Sequence, residues 1–546
     1  MVKSLIILSI YISILGYSVF IKNIFFKKNQ KDINSFDLTF GLIFLYFLSF
    51  LINFVFPLKY FSIYIFFIGL IFFILFFKLA IKNISLYLLI TILSVAIIIE
   101  PNSLAADTHF YHLQIIKWYS NEKAVFGLAN LESRLGLVSG WHHLVSVFNF
   151  SFRDINFLYL INTLPFIILT ERVLKIENKK NFYLHEIFLY SVFLFLIIFA
   201  IIHPTLNGTI LNTMGSADAD SAGTYFFICS FYFFLKYIEE EKDKDFVYLI
   251  TLVTLSYLAK ISNIFLILLP LYLLIFYNLN LKKFKNYIFF LIIINLFWFI
   301  KIVISTGCLV YPLEFTCFDF NWSYPKDMIS KLILEYSAFP RSKNNLDVHY
   351  HNYEYYIYSY NWFHKWFINY FIQISFIQIC FLLILISLIL IIIKFFSHNL
   401  LFNKKILLFL FVFFIININY WLIAPDIRYA YGIFICMTLV ILSFALKNYI
   451  KFFIKFFEKK NIIFLSLLLI LVSKNLKYHF INDNIFVENR KFNYSNIKFV
   501  KKENNYNIYK TSDGNCAFFQ EICVYIDPKN LRINKLHNYI FISHEK

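Results

Sequence analysis

Three short stretches of this sequence carry side chains able to do chemistry. The first reads Glu100-Pro101-Asn102-Ser103-Leu104-Ala105-Ala106-Asp107-Thr108-His109-Phe110-Tyr111-His112, with Glu132, Arg134, Trp141, His142 and His143 following within the same polar segment. A carboxylate such as Asp107 can take a proton from a hydroxyl group; at the first turn of a helix it can equally be a plain N-cap. The second stretch, Gly215-Ser216-Ala217-Asp218-Ala219-Asp220-Ser221, sets Asp218 and Asp220 two residues apart. That spacing suits a divalent cation, sugar hydroxyls or ordinary helix capping. The third, Trp421-Leu422-Ile423-Ala424-Pro425-Asp426-Ile427-Arg428-Tyr429-Ala430-Tyr431-Gly432, places Arg428 between two apolar runs in a chain with only seven arginines. A guanidinium fork matches phosphate geometry and stays charged, whereas a surface pair with Asp426 is the plainer reading. Lys260, between two more apolar runs, is a second cation for the same job or a snorkelling lysine.

The elements that must position these residues are membrane helices. The chain has 546 residues, of which 60% are hydrophobic and 15% charged, and its mean hydropathy is +0.69. Soluble chains carry about 25% charge, so too few polar residues are present to coat a globule of this size. About fourteen apolar runs, each near the ~20 residues a spanning helix needs, start close to residues 4, 37, 60, 83, 153, 183, 221, 246, 262, 287, 367, 405, 430 and 461. The expected fold is all-α and polytopic over 1–473, with a small, partly stranded extracytoplasmic domain over 474–546, where Asn507–Tyr509 and Ile522–Ile526 alternate in polarity.

Sidedness follows from lysine and arginine in short loops. Lys22, Lys27, Lys28, Lys78, Lys82, Arg172, Lys175, Lys242, Lys244, Lys282, Lys283 and the run from Lys447 to Lys460 collect on one side, which is therefore cytoplasmic. Both termini then lie outside, with an uncleaved first helix. Segments 101–152, 203–220, 305–366 and 425–429 emerge together on the other face, with the tail. The net charge of +18 sits largely in short inter-helix loops and, with lysine, phenylalanine, tyrosine, isoleucine and asparagine all inflated as AT-rich codons would inflate them, argues no nucleic-acid partner. Tyr350-His351-Asn352-Tyr353-Glu354-Tyr355-Tyr356 and Trp362 fit an interfacial aromatic belt and also sugar stacking. Cys229, Cys380 and Cys436 fall in apolar runs. Cys308 with Cys317, and Cys516 with Cys523, form close pairs in external segments, where disulfides are favoured over a zinc site.

Asp107 in the first large external loop, the acidic loop at 218–220, Gly127-Leu128-Ala129-Asn130-Leu131, Gly307-Cys308-Leu309-Val310-Tyr311-Pro312 and Pro425-Asp426-Ile427-Arg428-Tyr429, in that order, resemble the GT-C superfamily of integral-membrane glycosyltransferases, in particular a bacterial polytopic subgroup. Many members carry an acidic pair in the first loop; here Thr108 follows Asp107. The resemblance implies transfer of a sugar from a polyprenyl-phosphate donor to a cell-envelope glycan or lipid acceptor, at the periplasmic face of a bacterial inner membrane. It implies Asp107 as general base, with Arg428 and Lys260 at the donor phosphate. His109, His112, Arg134, Asp218, Asp220 and Asp426 would contact substrate, and a divalent metal at Asp218 and Asp220 stays open. The absence of a Gly-rich phosphate loop is consistent with a lipid-linked donor rather than a nucleotide sugar. A lipid-linked oligosaccharide flippase or transporter, a polysaccharide polymerase and a non-enzymatic receptor are the rivals. The first would bury polar residues near the bilayer midplane and often repeat itself; the second would rest on arginines in two large loops.

Overall fold

The computed structural model describes residues 2–26, 34–99, 107–149, 155–176, 182–203, 210–341, 361–368, 375–396, 404–447, 449, 459–481, 496–504, 506–512, 516, 519, 521–524 and 530–544. The protein is a mostly helical membrane protein with a small C-terminal β region. Each apolar run is helical over at least part of its length, yet not every run is long and apolar enough to cross a bilayer. Six helices qualify among the described residues: Val2–Phe25, Ser35–Val55, Leu184–Ile202, Leu281–Thr306, Ser375–Ile393 and Lys404–Trp421. A seventh crossing results if Ser62–Leu75 and Phe77–Asn83, bent by 85°, count as one. The other expected runs fall short of that length or hydropathy among the described residues. Leu86–Ile98 and Tyr431–Lys447 are short. Helix Asp220–Glu240 carries Lys236, Glu239 and Glu240, and helix Asp243–Ala259 carries Asp243, Lys244 and Asp245. Ser221–Leu235 is buried throughout, so protein, rather than lipid, is the solvent of that helix.

Asp220–Glu240 and Asp243–Ala259 pack as a central hairpin, joined by Leu184–Ile202 and Tyr431–Lys447 on one side. On the other, Val2–Phe25 packs between helices Leu38–Val55 and Ser62–Leu75. Its contact with Ser62–Leu75 is backbone-close: a Cβ on Gly16 would sit 1.9 Å from the Gly69 carbonyl oxygen, and Ser13 and Tyr17 donate to Phe66 and Ile65 carbonyls. Small residues at such crossings supply van der Waals packing where lipid offers no hydrophobic gain.

The cysteine pairs Cys308–Cys317 and Cys516–Cys523 are disulfide-bonded, and Cys229, Cys380 and Cys436 are buried thiols. In the tail, β1 (Ile497–Glu503) runs antiparallel to β2 (Tyr506–Thr511), which runs parallel to β3 (Ile522–Val524); β4 (Leu531–Leu536) and β5 (Tyr539–His544) form a hairpin. This region is built into the segment 107–149. Phe126 donates to Ile540 and accepts from Ile542, each at 2.9 Å, and its ring stacks on Phe541. Gly127 has φ 73°, and a side chain there would strike the Ile542 carbonyl. Gln114 donates to the Cys516 carbonyl and Lys117, buried, donates to that of Glu521.

Candidate functional site

The Pro425–Tyr429 turn is built to aim one guanidinium. Asp426 accepts from the backbone N–H of Arg428 at 3.0 Å, capping the short 3-10 turn Ile427–Tyr429. The indoles of Trp421 and Trp366 donate to the Asp426 and Pro425 carbonyls from below. So held, the Asp426 carboxylate, almost wholly buried, also accepts from Arg428 Nε and Nη2, each at 3.3 Å. The remaining edge of the fork reaches Asp107: Arg428 Nη1 lies 2.5 Å from Asp107 Oδ2. Burial works against the Arg428 charge, but Asp426 and then Asp107 outweigh it and hold its pKa well above the usual value.

Asp107 is no helix cap. Its backbone is already helical and its side chain makes no cap hydrogen bond. It precedes a π-helical turn, Thr108–His112, that leads into helix Leu113–Asn121. From the spacing of Leu113, Ile116 and Trp118 alone, that helix would lie along the membrane surface with His109 and His112 toward water. Instead Leu113, Ile116, Trp118 and His112 are all buried: the helix packs on Gly140–Val147 and bonds the C-terminal region through Gln114 and Lys117. His112 Nδ1 lies 2.9 Å from His142 Nε2. The side chain of His109, together with Glu100 and Tyr350–Tyr356, lies outside the described residues.

Lys260 joins the same group from the central hairpin. Its Nζ lies 2.6 Å from Asp220 Oδ1, donates to the Arg428 carbonyl at 3.2 Å and stands 4.6 Å over the Tyr429 ring. Its stem runs close to Gly223, while Ser256 and Asn263 fix the Gly223 carbonyl. Asp107, Arg428, Asp426, Lys260 and Asp220 thus form one linked, partly open cluster drawn from four regions of the chain.

Asp218 plays a different part. It accepts from the Ser216 hydroxyl and, at 3.1 Å, from the Asp220 backbone N–H, so it shapes the turn before helix Asp220–Glu240. Asn162 clamps that turn through the Ser216 and Asp218 carbonyls. Burial, and then the Asp220 charge, push the Asp218 carboxyl above the usual carboxylate range. The two carboxylates do not fit a divalent cation: one is spent on backbone and hydroxyl donors and the other on Lys260. Among the described residues no three His, Cys, Asp or Glu side chains converge as metal ligands.

Arg134 stands beside the cluster rather than in it. It pairs with Glu335 at 3.6 Å and Glu132 at 4.0 Å and packs against the faces of Phe110 and Tyr111. The Tyr111 ring faces Arg134 and the Tyr429 ring faces Lys260. Burial first, and the Asp107 charge second, keep the Tyr111 hydroxyl protonated. Roles for these tyrosines, and the pairing of His142 with His112, escaped the sequence reading. The one available signal was the His142-His143 doublet, in a chain whose tyrosine content hides individual tyrosines.

A family model described as a domain of unknown function, DUF8201, matches residues 1–435. The chain belongs to this family. The matched span takes in Asp107, Asp220, Lys260, Asp426 and Arg428 and leaves out β1–β5. No curated protein matches the chain, and no solved structure does.

Proposed function

We propose that the protein is a GT-C-like glycosyltransferase that moves a sugar from a polyprenyl-phosphate donor to a cell-envelope glycan or lipid acceptor. In this reading it works at the periplasmic face of a bacterial inner membrane, and the helical runs make about fourteen crossings. The contact between Asp107 and Arg428, 321 residues apart, with Lys260 on the Arg428 carbonyl, is the observation that carries it. A glycosyl transfer to a hydroxyl needs a carboxylate within reach of cations that can hold a departing phosphate, and this pair supplies both.

The ion pair also gives the mechanism an order. Before substrate binds, Asp107 is tied to Arg428. A donor phosphate takes over the Nη1 edge of the fork, while Asp426 keeps Nε and Nη2 in aim. Asp107, released, accepts the proton of the acceptor hydroxyl as that oxygen attacks the anomeric carbon. The carbon–oxygen bond to phosphate breaks with inversion, its electron pair passing to the phosphate, whose growing charge Arg428 and Lys260 offset.

The test is incubation of the purified protein with radiolabelled polyprenyl-phosphate sugars and a membrane glycan extract. Label passing to glycan or lipid in the wild type, and not in Asp107→Asn, is the expected result. No transfer from any polyprenyl-phosphate sugar, with labelled glycan instead moving across proteoliposome membranes, would replace this reading with transport.

A further inference from the structure

His112 and His142 are both buried, and their facing nitrogens are 2.9 Å apart. One imidazole must therefore donate to the other. His142 Nδ1, on the far side of that ring, is buried without a hydrogen-bond partner. For backbone groups, an orphaned buried N–H is rarer than an under-used acceptor. By the same logic the bare nitrogen is His142 Nδ1, and its proton sits on Nε2 and points at His112 Nδ1. His112 must then carry its own proton on Nε2, the ring edge turned away from His142, which has no partner among the described residues.

The π turn explains why that edge belongs to the site. In an α-helix, residues five apart lie about 140° apart around the axis. Here the Leu113 N–H bonds to the Thr108 carbonyl, a five-residue closure, and such a turn brings residue five round toward the starting side. His112 is five residues beyond Asp107. Burial first, then the positive charges of Arg428, Lys260 and Arg134, hold the His112 imidazole neutral, which also sets this ring among the three cations of the region.

We infer that His112 and His142 form a locked pair in which the His112 Nε2–H is a hydrogen-bond donor to a phosphate oxygen of the substrate bound at Arg428. His142 is a positioning residue that fixes the tautomer. This deepens the phosphate-donor reading and rests on it for the identity of the ligand; the tautomer stands on the geometry alone. The donor adds a directed hydrogen bond, without a further charge, beside those of Arg428 and Lys260.

The experiment is nitrogen-15 spectroscopy of full-length protein labelled at histidine, with signals assigned through His112→Gln and His142→Gln and short-chain farnesyl phosphate as the probe. A protonated, pyrrole-type His112 Nε2 and a pyridine-type His142 Nδ1 are expected, and saturation with farnesyl phosphate moves the first signal and not the second. The opposite tautomer, or a charged imidazolium, overturns the locked pair. Farnesyl phosphate that binds in an Arg428-dependent manner and leaves His112 Nε2 unmoved overturns the donor role. No binding of farnesyl phosphate at all removes the phosphate ligand and the transferase reading with it, while the tautomer is still read from the free protein. In transfer assays His112→Phe lowers kcat/KM for the donor about 10- to 100-fold, the range of a hydrogen bond to a charged group. His112→Gln, which keeps an N–H near the Nε2 position, recovers most of that loss; equal loss in both variants counts against the donor.

Discussion

At the lysine-rich end of the helical assembly, Asp37, Glu171 and Asp245 have no exposed side-chain surface, and each is held by a lysine: Lys22 at 2.9 Å, Lys175 at 2.5 Å and Lys236 at 2.8 Å. Tyrosines finish the seal, Tyr248 on Asp37 and Tyr11 on Glu171. Glu239 is held by Lys447, by His185 and by two backbone N–H groups. At the loop end, Asp107 keeps 30% and Arg428 38% of side-chain surface in the open, so the partner each holds can be exchanged. Buried pairs of the first kind hold helices in register but resist change, because removing one partner strands a charge away from water. Half-open pairs of the second kind contribute little to stability and can be exchanged for a ligand. Ion pairs of similar length therefore do opposite work at the two ends, and accessibility, more than distance, tells them apart.

Four experiments break or sharpen this contrast. The largest effect is expected from Asp107→Asn, which lowers transfer by about 10²–10⁴-fold, as loss of a general base does, while its thermal unfolding in detergent stays close to the wild type. Next, Asp37→Ala at the sealed end strands Lys22 and costs about 3–5 kcal/mol; it is read from denaturant unfolding, and transfer per folded molecule stays unchanged. A mirror-image outcome, with activity lost at Asp37 and stability lost at Asp107, would dissolve the distinction. Arg428→Lys keeps the charge but loses the planar fork, so donor KM rises about tenfold, by one hydrogen bond's worth, and acceptor KM does not move.

The smallest effect concerns pH. Asp218 has its folded-state pKa raised above the unfolded value, so the folded protein binds more protons in the window between them. Stability therefore falls as pH rises through that window, from about 4 toward neutrality. Calorimetry across it shows a downward slope in the wild type that Asp218→Asn flattens; a slope unchanged in that variant would assign it elsewhere.

Much of this was legible in the sequence, unevenly. Asp107, Arg428, Lys260 and Asp220 stood out as charges at the edges of apolar runs, and the two cysteine pairs by their closeness. The mutual contacts of the charges did not, because helix packing that joins residues 107 and 428 leaves no mark in local spacing. The position of His112 was misjudged for a related reason: periodicity assumes an α-helical turn and an uncovered face, whereas a π turn and the helix Gly140–Val147 intervene. Nor can hydropathy distinguish a helix bathed in lipid from one, like Asp220–Glu240, wrapped in other helices.

The seat of Asn130 and Phe126 on β5 has a consequence in time. Asn130 donates to the Ile542 carbonyl across 412 residues of chain, so the ribosome delivers the last piece of the Asp107 loop long after the loop itself. Until that hairpin has docked, a nascent chain that already holds every helix of the family-matched region still has an unlatched segment around Phe126 and Asn130.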